Sequence, residues 1–176
     1  GHAVWCARRL IGDEPFAVML PDDVIAADKP CLQQMVEAYN ETGGNMVAAM
    51  EVAPDRVSSY GVLDVADDQG ELVKIRGMVE KPKAEDAPSN LAVIGRYILS
   101  PNVLRNLNQL KSGSGGEIQL TDAIAAELTQ GHDVYGYRLK GPRFDCGSKS
   151  GFLQDTLSFG LPREAPPHDC PFYNSD

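Results

Sequence analysis

Apolar residues follow two rhythms along this 176-residue chain. Short continuous runs alternate with stretches in which they recur every three or four positions, the signature of strands interleaved with amphipathic helices. Gly1 to Leu10 reads as a short helix ended near Gly12. Phe16-Ala17-Val18-Met19-Leu20 is too short for a helix and is closed by Pro21, which predicts a strand buried on both faces. Leu32 to Tyr39 has helical spacing and stops at Gly43-Gly44, and Met46 to Met50 follows as another apolar strand. Strand, helix, strand predicts a right-handed parallel crossover.

Tyr60 to Val65 and Leu72 to Ile75 flank Asp67-Asp68-Gln69-Gly70, a turn-forming sequence that predicts a hairpin. Met78 to Lys81 runs on as extended chain into Pro82, which biases Lys81 away from helix. Val93 to Leu99 reads as a strand, and Ser100-Pro101 as the cap and first position of a helix carrying Leu104, Leu107 and Leu110. Past a flexible Ser112 to Gly116 loop, Thr121-Asp122 is expected to cap a helix bearing Ile124, Ala125 and Leu128. Val134 to Leu139 reads as a strand, and Phe144 to Ser148 as a turn into a last helix with Phe152, Leu153 and Leu157 on one face. Four prolines between Pro162 and Asp176 predict a loosely ordered tail, so the chain divides into one domain, residues 1–161, and a tail, 162–176.

Composition narrows the function. With 43% apolar and 23% charged residues, a chain of this length buries one core and is too short for two ordinary domains. A net charge of -9 argues against nucleic acid, whose binders need a basic face to displace condensed counterions. One or two positioned lysines and a metal ion still suffice for a small phosphorylated ligand. Cys6, Cys31, Cys146 and Cys170 form no CxxC pair, so neither a zinc site nor a disulfide framework is expected. With no apolar run of bilayer-spanning length and no leader pattern, a soluble cytoplasmic protein is expected.

Asp22 and Asp145 each sit in a turn just beyond a predicted strand, where ligands of open α/β sheets bind. Two carboxylates that leave positions for water and phosphate oxygens suit Mg2+. Asp22 as a turn former and Asp145 as a helix cap remain equal alternatives on the residues alone, and Asp23 is the substitute within Pro21-Asp22-Asp23. Glu80 and Lys81 place an acceptor beside a cation, fit for a sugar hydroxyl and a phosphate. Neighbouring strand residues face opposite ways, so both reach one ligand only if the strand ends or bulges there. Gly61 allows close backbone approach or a bulge. Gly115-Gly116-Glu117 reads as a surface loop that could order over a sugar. His2, His132 and His168 show no metal spacing. Cys146 lies near a helix start that would lower its pKa, yet no partner histidine accompanies it, so a structural thiol is expected.

In order and spacing, Gly1-His2-Ala3-Val4, Leu20-Pro21-Asp22-Asp23, Tyr60-Gly61-Val62, Val79-Glu80-Lys81-Pro82, Ser89-Asn90-Leu91-Ala92-Val93-Ile94-Gly95-Arg96-Tyr97, Gly116-Glu117-Ile118-Gln119-Leu120-Thr121-Asp122-Ala123-Ile124 and Asp145-Cys146-Gly147 closely resemble bacterial UTP:glucose-1-phosphate uridylyltransferases. The resemblance extends over residues 1 to about 160. It implies an α/β nucleotide-diphospho-sugar transferase fold, a Rossmann-like mixed sheet flanked by helices. It also implies a reaction in which UTP and glucose 1-phosphate give UDP-glucose and pyrophosphate.

By the same resemblance Asp22 and Asp145 hold Mg2+, Lys81 is the catalytic contact to phosphate, and Glu80 binds glucose hydroxyls. Gly61 and Val93 offer backbone contacts to the sugar, with Glu117 nearby, and a homo-oligomer is implied. The family's glycine-rich nucleotide loop has no counterpart here, so the chain is expected to be N-terminally truncated, with open sheet edges and no useful activity alone. A related thymidylyltransferase and a non-catalytic sugar-nucleotide-binding or assembly module are the alternatives.

Overall fold

The computed structural model describes residues 1–109 and 117–160. The Ser112 to Gly116 loop and the 162–176 tail of the sequence reading lie outside them. The opening helix is two short pieces, α1 (His2–Cys6) and α2 (Arg8–Ile11), ending at Gly12 as expected. Strand β1 (Phe16–Met19) pairs antiparallel with β6 (Leu91–Leu99), from Phe16 opposite Leu99 to Met19 opposite Arg96. It is not buried on both faces. Its residues alternate between half-buried and exposed, and Met19 is 58% exposed. Among the described strands β1 pairs with β6 alone and forms an edge.

Helix α3 (Cys31–Thr42) leads into β3 (Asn45–Glu51), which pairs antiparallel with the other side of β6. β1 and β3 are therefore parallel, but with β6 between them, so the expected crossover spans a strand instead of joining neighbours. β7 (Val134–Arg138) lies parallel to β3. The hairpin of β4 (Gly61–Asp68) and β5 (Leu72–Glu80) forms where its turn sequence predicts it. β5 pairs with β7 while β4 returns to β6 at Val62 opposite Ala92. The order β1-β6-β3-β7-β5-β4 thus closes on itself through β6, and the start of β4 is delivered beside the middle of β6.

Helices cover both faces of this sheet. On one face Val47, Leu63, Val93, Tyr97 and Leu99 pack under α4 (Pro101–Gln109) and α5 (Leu120–Thr129) through Val103, Leu107 and Ile124. On the other, Met46, Ala48, Ile94 and Ile98 meet Cys31 and Met35 of α3. Double coverage is why β3 and β6 read as continuous apolar runs. Each fully buried large side chain contributes about 1.5–3 kcal/mol.

Two sequence expectations fail here. Thr121 does not cap α5, whose N-cap is Gln119 without a side-chain cap; the Thr121 hydroxyl is turned to another partner, described below. The last helix forms as α6 (Lys149–Gly160), but its apolar row is not buried: Phe152, Leu153 and Leu157 are all exposed, and Phe159 meets Phe144 of β8 edge-on. A polar cluster anchors α5 instead of a cap. Glu127, 1% exposed, accepts hydrogen bonds from Asn106 Nδ2 at 2.6 Å, Asn45 Nδ2 at 3.1 Å and Ser100 Oγ at 3.1 Å. These tie α5 to α4 and β3, offsetting the cost of a buried carboxylate.

Candidate functional site

β1 hands the chain to a Pro21-Asp22 turn and then to β2 (Asp23–Ile25), which pairs antiparallel with β8 (Arg143–Asp145), Asp23 opposite Asp145. The Cys146 amide donates to the Asp22 carbonyl at 2.7 Å, fastening the two ends. A methyl group placed on Gly147 would sit 3.2 Å from Asp145 Oδ1 and 3.3 Å from Asp22 Oδ2. Carboxylates far apart in sequence therefore face one backbone point. Asp145 sits at the end of the short strand β8 and not in the expected turn, since a three-residue strand with one apolar residue carries no periodic signal.

Asp23, the substitute weighed from sequence, is buried and already engaged. Its Oδ2 accepts from the Gly95 amide at 2.7 Å and its Oδ1 pairs with Arg143. Asp22 is left exposed, and Asp145 Oδ1 accepts only a 3.1 Å bond from the Gly147 amide among the described contacts. No group of three or more His, Cys, Asp and Glu that could hold a metal occurs among the described residues. Two oxygen-donor carboxylates nevertheless fit magnesium, which binds through one or two carboxylates and fills its shell with water and substrate phosphate.

A second group gathers where β4 begins and β5 ends. Gly61 is opposite Glu80, and a methyl group on Gly61 would lie 2.9 Å from Thr121 Cγ2, 3.2 Å from Glu80 Oε2 and 3.8 Å from Val93 Cγ2. Close approach of Thr121 therefore requires glycine there. The Thr121 hydroxyl donates to Glu80 Oε2 at 2.9 Å, which orients the carboxylate. β5 ends at Glu80, and Lys81 has φ +47°, the one positive φ outside glycine among the described residues. That turn resolves the opposite-face objection. Lys81 Nζ lies 3.9 Å from Glu80 Oε1, with Lys81 59% and Glu80 15% exposed, so the amine reaches outward over a sheltered acceptor.

Glu117 is exposed, just ahead of α5. Burial, followed by the charges of Glu80, Asp23 and Asp22, pushes the Tyr97 phenol far above its ordinary range. Tyr97 thus senses both groups of residues. Arg143 joins them directly, since its Nη1 donates to the Tyr60 hydroxyl at 3.2 Å and Tyr60 precedes Gly61.

Sequence reasoning gave no site role to Tyr60, Tyr97, Thr121 or Arg143. The first three lie inside the motifs that carry the resemblance, and for Arg143 the signal was its spacing, two residues before Asp145 and so on the same face of a strand. At Cys146 the pKa is raised, by burial and then by Asp155, Asp145 and Asp22. The helix start does not lower it.

A concavity of about 1230 Å³ on the α3 side holds none of these residues. Its lysines, Lys29 and Lys140, pair with Glu37 and Glu71, which leaves neither cation unpaired to meet a phosphate. No described helix is long and apolar enough to cross a membrane.

Residues 1–158 match the family described as nucleotidyl transferase. A UTP--glucose-1-phosphate uridylyltransferase of Komagataeibacter xylinus is 56% identical over 149 residues, 84% of this chain and 52% of that protein. One from Bacillus subtilis is 43% identical over 161 residues, 92% of this chain and 55% of that protein. Among solved structures, a UDP-glucose pyrophosphorylase complexed with UDP-glucose aligns with a TM-score of 0.87 and 41% identity, over 92% of this chain and 62% of the other. A UTP-bound enzyme of Acinetobacter baumannii aligns at 0.81 and 39%, over 93% and 57%. The chain spans about half the length of the curated relatives it matches.

Proposed function

Since the chain belongs to the nucleotidyl transferase family, we propose that it is the sugar- and metal-binding part of a cytoplasmic uridylyltransferase that forms UDP-glucose and pyrophosphate from UTP and glucose 1-phosphate. The observation that carries this reading is the meeting of Asp22 and Asp145 around Gly147, joined through Arg143 and Tyr60 to the Gly61, Glu80, Lys81 and Val93 group.

In this proposal Asp22 and Asp145 hold Mg2+, which when bound neutralises phosphate charge as the bond to the α-phosphorus forms. Lys81 meets a phosphate oxygen as a mobile point charge. Glu80, oriented by Thr121, accepts from glucose hydroxyls, and the backbone at Gly61 and Val93 walls the sugar, with Glu117 at its edge. A sugar phosphate is already an anionic nucleophile, so no general base is needed, and the protein contributes alignment and charge neutralisation. The 176 residues alone are proposed to have no useful transferase activity, which an assay of UDP-glucose formation checks. Self-association belongs to the same proposal, and light scattering measures it.

Calorimetry with UDP-glucose and Mg2+ is the test. Binding that weakens in Asp22→Ala and Asp145→Ala supports the assignment; unchanged heats in both remove it. Tighter binding of dTDP-glucose than of UDP-glucose would replace the uridylyl reading with a thymidylyl one.

A further inference from the structure

Arg143 stands at the meeting point of three elements. Its side chain is 10% exposed. Nε and Nη2 hold the Asp23 carboxylate, whose other oxygen accepts from the Gly95 amide of β6. Nη1 donates to the Tyr60 hydroxyl at 3.2 Å, and the guanidinium carbon lies 5.3 Å from the centre of the Tyr60 ring. Nη2 also comes within 3.7 Å of Asp145 Oδ2. That separation gives an ion pair without a short hydrogen bond, so this oxygen is not saturated. The Tyr60 carbonyl in turn accepts from the Lys81 amide at 2.9 Å. A continuous path therefore runs from the carboxylate pair, through one guanidinium, to the residue in the left-handed conformation.

We infer that Arg143 is a positioning residue that couples the Asp22–Asp145 pair to the sugar-phosphate group at Gly61, Glu80 and Lys81, so that the metal-binding carboxylates and the phosphate-binding lysine keep a fixed spacing. The inference rests on the proposed function for its ligand, but the coupling itself is a property of the free chain. Only a planar fork with several fixed donors serves Asp23 and Tyr60 together while facing Asp145; a lysine ammonium keeps the charge and loses the geometry. Partners that orient ligating carboxylates typically change metal affinity about 10- to 100-fold when removed.

Two variants test this in the 176-residue chain. Tyr60→Phe removes the hydroxyl and keeps the ring; Arg143→Lys keeps the charge and removes the fork. Amide hydrogen exchange needs no ligand. In Tyr60→Phe the Lys81, Gly95 and Cys146 amides should all exchange faster, by about three- to tenfold, as expected for one hydrogen bond. Calorimetry with UDP-glucose then measures the gain in affinity on adding Mg2+, which should fall about tenfold or more in Arg143→Lys and less in Tyr60→Phe, with Mg2+-free affinity little changed.

Faster exchange confined to residues 60–62 and 79–82, with Gly95 and Cys146 unchanged, overturns the coupling whether or not UDP-glucose binds. An unchanged Mg2+ gain in folded variants also overturns it. If Arg143→Lys fails to fold, Tyr60→Phe gives both readouts by itself. Coupled exchange in a chain that binds no UDP-glucose supports the coupling and defeats the ligand reading.

Discussion

Replacing Lys81 by glycine should make the fold more stable and the ligand bind more weakly. Lys81 holds φ +47°, a region that costs an L-residue with a Cβ about 1–2 kcal/mol. Pro82 follows, and a residue before proline is further biased to extended conformations. Little in the folded chain repays this, since the Lys81–Glu80 pair at 3.9 Å has its lysine largely in water and exposed pairs contribute about 0–1 kcal/mol. Glycine relieves the strain but adds freedom to the unfolded chain, an opposing effect of about 0.5–1 kcal/mol. The net expectation for Lys81→Gly is a gain of up to about 1 kcal/mol.

Lys81→Ala separates the two contributions because it removes the amine and keeps the Cβ. Its stability should stay within about 0.5 kcal/mol of the parent chain. Both variants lose the proposed phosphate contact, and a hydrogen bond to a charged group of about 1.5–3 kcal/mol corresponds to roughly a ten- to hundredfold rise in the Kd for UDP-glucose. Urea unfolding and calorimetry on the three proteins give both numbers. A glycine variant no more stable than the alanine variant refutes the strain argument, and undiminished binding in both refutes the role of the amine.

Gly95→Ala tests the close approach of β6 to the aspartate turn. The added methyl would lie 2.6 Å from both Asp23 Oδ2 and Leu20 Cβ, and a Cβ moves only with its backbone, so unfolding free energy should fall by about 1–3 kcal/mol and Mg2+-dependent binding should weaken as Asp22 shifts. A loss under about 0.5 kcal/mol with unchanged binding removes the argument. Asp68 supplies a pH test: Arg138 first and the Gly70 amide second lower its pKa from 3.8 to about 2. A depressed carboxylate stabilises the fold above its unfolded pKa and loses that contribution as pH falls through the folded one. The stability difference between the parent chain and Asp68→Asn should therefore be full above pH 4 and vanish toward pH 2. An NMR titration that places Asp68 near 3.8 would show that the Arg138 pair does not form in solution.

What could be read in advance follows from how local the information is. Periodicity located α3, β3, the β4–β5 hairpin, β6 and β7 to within a few residues, because their apolar patterns are set by the layer each one touches. It misjudged β1, because the run of five apolar residues from Phe16 to Leu20 matches a strand buried on both faces although alternate residues of the strand are exposed. It missed β8, too short for a period to register. The α6 row obeys helical spacing yet stays largely exposed, so amphipathic spacing reports a need for burial and not its fulfilment. The site shows the same division. Asp22, Asp145, Glu80 and Lys81, the proposed ligand residues, could be named because their types and the resemblance pointed to them. Thr121 looked like a cap, Tyr60 like an ordinary strand residue and Arg143 like a loop residue, because their contacts join distant segments.

Local charge, more than resemblance, makes a divalent ion necessary to the proposed function. Asp22, Asp23, Asp145 and Glu80 crowd the two joined groups, while Arg143, Arg96 and Lys81 are the described cations placed among them. Arg143 is committed to Asp23 and Arg96 to the Leu20, Asp23 and Gly95 carbonyls, so among the described residues an incoming pyrophosphate meets Asp22 and Asp145 with Lys81 as its least committed cation, in a chain of net charge -9. Like charges a few ångströms apart repel by about 4 kcal/mol at the effective dielectric of a protein surface, more than one exposed lysine offsets. The arrangement that holds the carboxylates together therefore weakens ligand binding until a cation sits between them. For the same reason the Mg2+ dependence of binding, more than its absolute strength, is the quantity that reports on this site.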